Sequence, residues 1–291
     1  MNDGRRARHR SAFTLAANQV RVQADQPEPG WSFSVGTGLT LLRNSRENYH
    51  TALSLTLAGR RRPSAGSVTL EHRGKTVQKH TDLFRMVALA GAAEVDSLDR
   101  IVPVRAVLRE QVNWASPWWK RVGKDLLDHD LVRPWLQPLG LDIDLRTKVG
   151  EIDPHDRFRL RVLLALVSRA DAAVLIVDDI DQVRDMELRD EILTELRELS
   201  LSLPVVASTV NPDFSGIATR VIDLRTMGEE HEGGGRRAVT STEPTELTEA
   251  TDGDAASLAA GTSGAVPTAS AAPTAQIPAN QDQIPTLSEE N

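Results

Sequence analysis

Two adjacent carboxylates, Asp178 and Asp179, directly follow an apolar run over residues 172–177. A continuous run rich in Val, Ile and Leu that ends at polar residues is typical of a buried parallel strand. Open α/β sheets bind ligands at the carboxyl ends of such strands, so these acids stand where chemistry is expected. They could equally end a strand and cap the following loop. Asp181 and Asp185 follow closely, and this stretch alone leaves both interpretations open.

Strand and helix patterns alternate around these acids and predict a mostly parallel sheet flanked by helices, the α/β class. Short apolar strands are expected at residues 39–42, 86–90, 172–177, 204–209 and 220–224. Helical periods run over residues 44–58, 156–170 and 186–199. An antiparallel β edge is expected from residues 12–23 and 31–35 and from a hairpin over 66–79 that turns at Arg73 and Gly74.

Residues 98–148 differ in kind and are predicted to form an inserted helical subdomain. Four of the five tryptophans lie in this stretch, and prolines 117, 134 and 138 divide it into short helices. Trp118 and Trp119 are candidate docking aromatics, because tryptophan is favoured at interfaces. The alternative is that they fill the subdomain's own small core, and for at least one of them the sequence favours this alternative.

Composition divides the chain into a flexible basic arm over residues 1–11, an ordered domain over 12–227 and a tail over 228–291. The tail is acidic and of low complexity, and it is too poor in apolar residues to offset its ordering entropy, so it is predicted to be disordered. The net charge of −7 becomes +1 when the eight acids after Arg237 are left out. A nearly neutral ordered domain argues against nucleic acid as a partner.

The residue content also excludes several other classes of protein. With no cysteine in the chain, disulfides and thiolate metal sites are excluded. No apolar run approaches the ~20 residues that a membrane span needs. The basic start has no apolar segment behind it, so it is not interpreted as a signal peptide. A cytoplasmic protein is therefore expected.

The order of these parts resembles the nucleotide-binding domain of ATP-binding cassette (ABC) transporters over residues 12–225. Matching segments are 38–42, 57–59 and 63–70 around the phosphate loop, 157–166 after the signature motif, 174–179 as the Walker B strand, and 208–211 and 220–224 as the switch strand and the next strand. The resemblance implies a P-loop NTPase-like fold with ATP and Mg²⁺ as ligands. It implies a membrane permease-like partner, pairing with a second copy or with an intact ABC ATPase, and a position on the inner face of the cell membrane.

By this resemblance the phosphate-binding loop, Walker A, falls on eight residues: Asn44, Ser45, Arg46, Glu47, Asn48, Tyr49, His50 and Thr51. A working loop has the form G-x-x-x-x-G-K-[ST]. Asn44 and Tyr49 replace its glycines, which let the backbone turn and let phosphate approach. His50 replaces the lysine and is shorter and largely neutral near pH 7, and Glu47 adds negative charge beside the phosphate. The resemblance therefore implies a degenerate loop.

The remaining family positions are partly retained. Asp178 matches the Walker B aspartate, which together with Thr51 would hold Mg²⁺. Asp179 stands at the position of the catalytic glutamate, and Asp185 matches the aspartate of the D-loop. By the same resemblance, other family residues are lost: the glutamine near Gly91, the signature motif over residues 152–156, the switch histidine at Val210 and an adenine-stacking aromatic near Gln23.

The substitutions in the phosphate loop could also serve a structural purpose. Asn44 and Glu47 are spaced as a capping box, so the protein's own carboxylate could satisfy the helix N-terminus that a phosphate would use. The alternative is that both are ordinary surface residues.

Three functional hypotheses follow from the retained and lost positions. The first is an ABC-type subunit with weak or lost ATP binding and hydrolysis that acts as a partner of a membrane protein. The second is a divergent but active ABC ATPase that energises transport. The third is a soluble scaffold or regulator that uses the inherited fold and the acidic tail.

Overall fold

The computed structural model describes residues 13–26, 28–45, 49–93, 95–119 and 122–228. All of these lie within one compact unit of the chain, residues 1–236. The predicted basic arm lies outside the described residues, as does the predicted acidic tail beyond residue 228. Arg46, Glu47 and Asn48 of the phosphate loop also lie outside them.

Strands and helices alternate along the described residues. The strands are β1 (Phe13–Arg21), β2 (Trp31–Val35), β3 (Leu39–Arg43), β4 (Ala65–His72), β5 (Lys75–Val77), β6 (Val87–Ala90), β7 (Val174–Val177), β8 (Val205–Thr209) and β9 (Arg220–Asp223). The α-helices are α1 (His50–Leu57), α2 (His80–Met86), α3 (Val104–Ala115), α4 (Arg133–Leu136), α5 (Pro154–Ser168) and α6 (Met186–Leu199). Short 3₁₀ helices lie at Ile180–Gln182 and Thr226–Gly228.

Five strands form a parallel sheet in the order β6-β7-β8-β3-β9. Since all five run in one direction, the residues that follow them meet at one edge of the sheet. Asn44, Gly91, Asp178 and Val210 follow β3, β6, β7 and β8 respectively. The edge therefore gathers most of the positions that the sequence proposed for a nucleotide site.

Each face of this sheet belongs to a different hydrophobic core, because side chains along a strand alternate. On β7, Val174 and Ile176 join a core built with the antiparallel sheet and α1. Leu175 and Val177 join a second core, built with α3, α5 and α6. All four side chains are fully buried, so the carboxyl end of β7 is held between two packed layers.

A second, antiparallel sheet has the order β2-β1-β4-β5. Its β4–β5 hairpin turns at Arg73 and Gly74, both with positive φ, 50° and 74°. Such a pair of angles is typical of the two-residue turns that suit hairpins. The predicted fold class is confirmed: a mostly parallel sheet flanked by helices, with an antiparallel β edge.

The first helix starts later than the sequence pattern indicated. It was expected over residues 44–58, but α1 begins at His50, with Tyr49 as its N-cap. Asn44 instead continues β3, since its N–H donates to the carbonyl of Thr209 at 2.9 Å. The capping-box interpretation with Asn44 as N-cap is therefore wrong. Helix α2 was missed, because Leu83 is its only buried residue and it shows no apolar stripe.

Residues 98–148 contain α3 and α4 joined by turns. Their core is supplied by aliphatic residues, among them Leu108, Val112, Leu126, Val132 and Leu139. The tryptophans at 118 and 119 do not fill it: they are 92% and 71% exposed. The expectation that at least one of them lies in this core is wrong, because smaller aliphatic side chains already fill the space. Within the described ranges, no helix is long and apolar enough to cross a membrane.

Candidate functional site

Asp178 is the most enclosed acid at the carboxyl edge of the parallel sheet, at 1% exposure. Its N–H donates to the carbonyl of Ala90 at 2.7 Å, which extends the β6–β7 ladder. One carboxylate oxygen, Oδ1, accepts from the hydroxyls of Ser54 at 2.7 Å and Ser208 at 2.9 Å. The carboxylate thus ties α1 and β8 to the end of β7.

The hydroxyl that α1 gives to Asp178 belongs to Ser54, one helical turn after Thr51. Thr51 itself is half-buried at the start of the same helix. The resemblance paired Thr51 with Asp178 and indicated neither serine. A serine in the mostly apolar stretch over residues 52–57 was the available signal, because a buried hydroxyl needs a partner.

Asp179 stands in a tight turn. Its backbone is left-handed, with φ 45° and ψ 72°, and it precedes the 3₁₀ helix Ile180–Gln182. Its N–H donates to the Ser208 hydroxyl at 2.8 Å, and its carbonyl accepts from the Gln182 side chain at 2.9 Å. The position proposed for a catalytic acid is therefore fixed through its backbone to β8 and to the following turn.

A buried ion pair that the sequence analysis did not identify lies next to these acids. Arg189 is 0% exposed, and its Nε donates to Oδ1 of Asp181 at 2.8 Å. Oδ2 of Asp181 accepts from the Thr209 hydroxyl at 2.9 Å and from the Val210 N–H at 2.5 Å, and the Asn211 side chain donates to Oδ1 at 3.0 Å. Arg189 also donates to the Thr209 hydroxyl, at 3.0 Å. This network fixes the loop that follows β8.

Two opposing influences act on the pKa of Asp181. Burial raises it, but hydrogen bonds from the Val210 N–H, from Thr209 and Asn211 and from Arg189 together lower it below the usual value. These bonds favour the charged form. Val210, which the resemblance aligns with a switch histidine, is therefore anchored by its backbone N–H to an ionised carboxylate.

Asp185 is the N-cap of α6. Its Oδ1 accepts from the N–H groups of Glu187 at 2.9 Å and Leu188 at 3.3 Å. An aspartate at this position satisfies N–H groups that have no partner within the helix. The residue that matched the D-loop aspartate thus starts α6, the helix that carries Arg189.

Tyr49, which the resemblance places at the last glycine position of the phosphate loop, has a left-handed conformation, with φ 55°. Desolvation, and after it the interaction with Asp25 in the connection between β1 and β2, raise the pKa of Tyr49. Gln23, the residue nearest to the expected adenine position, lies in the same connection. The tyrosine therefore lies near the segment where the resemblance expects the adenine.

The N-terminus of α5 is satisfied by the protein itself. Asp153 is the N-cap, and its Oδ1 accepts from the Asp156 N–H at 2.9 Å. This bond lowers the pKa of Asp153. Pro154 at the first helical position has no N–H to offer a ligand. The segment that the resemblance aligns with the signature motif therefore carries a capping carboxylate at the start of α5.

Replacing Asp153 by alanine is expected to lower the free energy of unfolding by about 1 kcal/mol, the usual cost of losing an N-cap. Urea unfolding monitored by circular dichroism measures this change. The matched control is Asp142→Ala, which removes an exposed aspartate outside any helix and should change stability by less than about 0.5 kcal/mol. Equal effects of the two substitutions would show that the cap contributes nothing.

Gly91 follows β6, near the position that the resemblance assigns to an Mg²⁺-sensing glutamine. Its φ is +86°, and a Cβ there would lie 2.1 Å from the carbonyl oxygen of Asp178. Its N–H donates to Oδ2 of Asp96 at 2.7 Å, and Oδ1 of Asp96 accepts from Arg161 on α5. Any side chain at this position would collide with the backbone that presents Asp178.

The donor set fits a nucleotide–metal complex poorly. Among the described residues, no group of three or more His, Cys, Asp or Glu side chains is arranged to hold a metal ion. Asp178 and Thr51, the two proposed Mg²⁺ ligands, stand on adjacent elements, but Oδ1 of Asp178 already accepts two hydroxyls. Arg46, Glu47 and Asn48, in the middle of the proposed phosphate loop, lie outside the described residues.

Comparisons with known proteins give the fold. No protein-family model and no curated protein matches the chain. Solved structures do match. An ABC transporter ATP-binding protein from Pyrococcus furiosus is 16% identical with a TM-score of 0.55, over 73% of this chain and 98% of that one. CbiO1 from Clostridium perfringens, part of the transporter complex cbiONQ, is 14% identical with a TM-score of 0.57, over 73% and 84%.

A third match is the bacterial ABC transporter cassette MJ0796, solved as a dimer, at 11% identity and a TM-score of 0.56, over 72% of this chain and 94% of that one. These identities are low, so they establish the architecture and not the chemistry. The chain has the fold of the ATP-binding cassette, the ATPase domain of ABC transporters.

Proposed function

We propose that this protein is an ABC-type subunit that has weak or lost ATP binding and hydrolysis and acts as the partner of a membrane permease-like protein. The observation that carries the proposal is the state of Asp178. Its buried Oδ1 already accepts hydrogen bonds from two hydroxyls of the chain, those of Ser54 and Ser208. Binding of a metal ion to this oxygen would cost those hydrogen bonds.

The phosphate side of the site supports the same conclusion. Phosphate loops bind anions through backbone N–H groups, glycines and a lysine. Here Tyr49 carries a large side chain at a glycine position, near Asp25. His50 is shorter than the lysine that it replaces. Asp178 and Asp179 lie at the same edge, so the balance of charge around a triphosphate is unfavourable.

The N-terminus of α5, which follows the segment aligned with the signature motif, is also unsuitable for binding a phosphate. A phosphate near the start of α5 would meet the Asp153 carboxylate, held there by the Asp156 N–H. Two unit charges ~4 Å apart at an effective dielectric near 20 repel by about 4 kcal/mol. A second copy of this chain, therefore, would not complete a site for the first.

A groove beside α3 supports the proposed membrane partner. It has a volume of about 420 Å³ and is bordered by the loop after β6, by α3 and by α5. Its walls include apolar side chains at Leu98, Val107 and Trp114 and the cations Arg60 and Arg161. Trp114 is 80% exposed at its rim. An apolar cleft with charged edges suits a helix or loop of another protein, and we place this protein on the inner face of the cell membrane.

Isothermal titration of the full chain with ATP and Mg²⁺ tests the proposed loss of nucleotide binding. We expect no saturable heat up to millimolar ATP, a free energy of binding weaker than about −4 kcal/mol. An intact ABC ATPase domain measured in the same buffer is the positive control. Tight binding by the wild type that is lost in Asp178→Ala would contradict the proposal and would favour the divergent, active ATPase.

A further inference from the structure

Three tryptophans form an exposed patch at the end of α3. Trp114, Trp118 and Trp119 are 80%, 92% and 71% exposed. The rings of Trp118 and Trp119 meet edge to face, with centroids 5.7 Å apart and planes at 86°. By contrast, Trp31 is 8% exposed and lies in the core. Large exposed apolar patches on a soluble domain mark interaction sites, so this tryptophan patch needs a partner.

The local chain geometry directs the patch outward. Helix α3 ends at Ala115, and Ser116 is extended, as expected for a residue before proline. The chain then returns along the helix, because Arg105 donates to the carbonyl of Lys124 at 2.8 Å. Trp118 and Trp119 therefore lie just beyond the end of α3, where the chain turns back.

The sequence around the patch is rich in cations, in a chain whose net charge is −7. Residues 105–124 contain five cations and a single acid, Glu110, and acids resume at Asp125. Of the cations, Arg105, Arg109 and Lys124 belong to the described residues, and Arg105 and Lys124 are exposed. Arg109 and Glu110 line a cleft together with Trp114 and Trp118. Cations close to exposed tryptophans are complementary to negatively charged headgroups above an apolar layer.

We propose that the tryptophan patch binds directly to the surface of an anionic lipid bilayer, with the indole rings in the headgroup region. Tryptophan is enriched at this level of membranes because it has an apolar body and one N–H donor. Lysine and arginine next to it are attracted by anionic lipids. The two rings of Trp118 and Trp119 pack against each other, so they do not need a complementary pocket in the binding partner. This suits binding to a fluid lipid surface. This binding is independent of the nucleotide site, and Trp114 also lines the groove proposed for the permease-like partner.

Binding of the full-length chain to lipid vesicles that contain no membrane protein tests this proposal. We expect co-sedimentation with phosphatidylcholine vesicles that contain about 30% phosphatidylglycerol, and much weaker binding to pure phosphatidylcholine. Tryptophan fluorescence should shift to the blue on binding, because three of the five tryptophans are in the patch. Trp118→Ala with Trp119→Ala should weaken partitioning by about tenfold or more, and Lys124→Glu should weaken binding to anionic vesicles by about tenfold.

Phe214→Ala is the matched control, because Phe214 is an exposed aromatic residue, 74% accessible, far along the chain from the patch. It should bind vesicles as the wild type does. All substituted side chains are exposed, and circular dichroism checks that each variant is folded. Equal binding of the wild type and the double tryptophan variant would overturn the proposal, as would equal binding to neutral and anionic vesicles. Absence of vesicle binding, with loss of a membrane-protein partner in the tryptophan variant, would instead assign the patch to that partner.

Discussion

Replacing Asp181 by alanine is expected to lower the free energy of unfolding by about 3–5 kcal/mol, the usual cost of leaving one partner of a buried ion pair alone. Arg189 is 0% exposed and would keep its charge without the carboxylate that faces it. The N–H of Val210 and the side chain of Asn211 would lose an acceptor as well. Urea unfolding at neutral pH measures the change.

Two control variants separate the lost pair from a general effect of removing an acid. Asp171→Ala removes an exposed aspartate and should change stability by less than about 0.5 kcal/mol. Asp181→Leu combined with Arg189→Met removes both charges, and it should recover part of the stability lost in Asp181→Ala, because buried pairs often do little better than apolar residues. A single variant as stable as Asp171→Ala would show that the pair contributes nothing.

The same substitution has an expected dependence on pH. The folded pKa of Asp181 is lowered, since hydrogen bonds outweigh the effect of burial. Its contribution is therefore fully present above the unfolded pKa, about 3.9, and is lost as the pH falls through the lower folded pKa. Asp181→Asn should show a smaller loss of stability on acidification than the wild type. If the free energy of unfolding fell equally with pH below 5 in the wild type and in Asp181→Asn, this assignment would be contradicted.

Replacing Gly91 by alanine is expected to cost about 2–5 kcal/mol of folding free energy, from backbone strain and from overpacking together. The φ of +86° disfavours any side chain, and the new Cβ would lie 2.1 Å from the carbonyl oxygen of Asp178. The atom it meets is backbone, which cannot rotate away. The strand end that presents Asp178 would have to move, and chemical denaturation would report the cost.

Gly74→Ala is the control for the conformational part of this effect. Gly74 also has a positive φ, +74°, but a Cβ there meets nothing within 4 Å. It should cost only about 1 kcal/mol, the price of a left-handed alanine. A Gly91→Ala variant no less stable than Gly74→Ala would mean that the approach to Asp178 is easily relieved.

The strand ends were predictable from sequence because apolar runs and their polar boundaries are local patterns. Asp178 and Asp179 were placed correctly at the end of a buried strand. The Asp181–Arg189 pair was not anticipated, although α6 contained a signal for it. Its inward positions Ile192, Leu193 and Leu196 continue the helical period that starts at Arg189. An arginine on an apolar face needs a buried anion.

Helix capping also differs from the pattern predicted from sequence. The prediction paired Asn44 with Glu47, whereas aspartates cap two other helices: Asp153, followed by Pro154, caps α5, and Asp185 caps α6. An aspartate before a proline is a strong start signal for a helix. The proximity of Tyr49 to Asp25 was beyond local patterns, because only the packing of the chain brings the β1–β2 connection close to the start of α1.

Four strands of the parallel sheet, β3, β6, β7 and β8, each contribute to two cores, and this has a consequence for how the domain unfolds. Val174 and Ile176 cannot leave one core without moving Leu175 and Val177, which pack in the other. A slip of one residue along β7 would exchange the two sets and spoil both cores. We therefore expect the two layers to lose their packing together, in one cooperative transition and not as two halves that melt in turn.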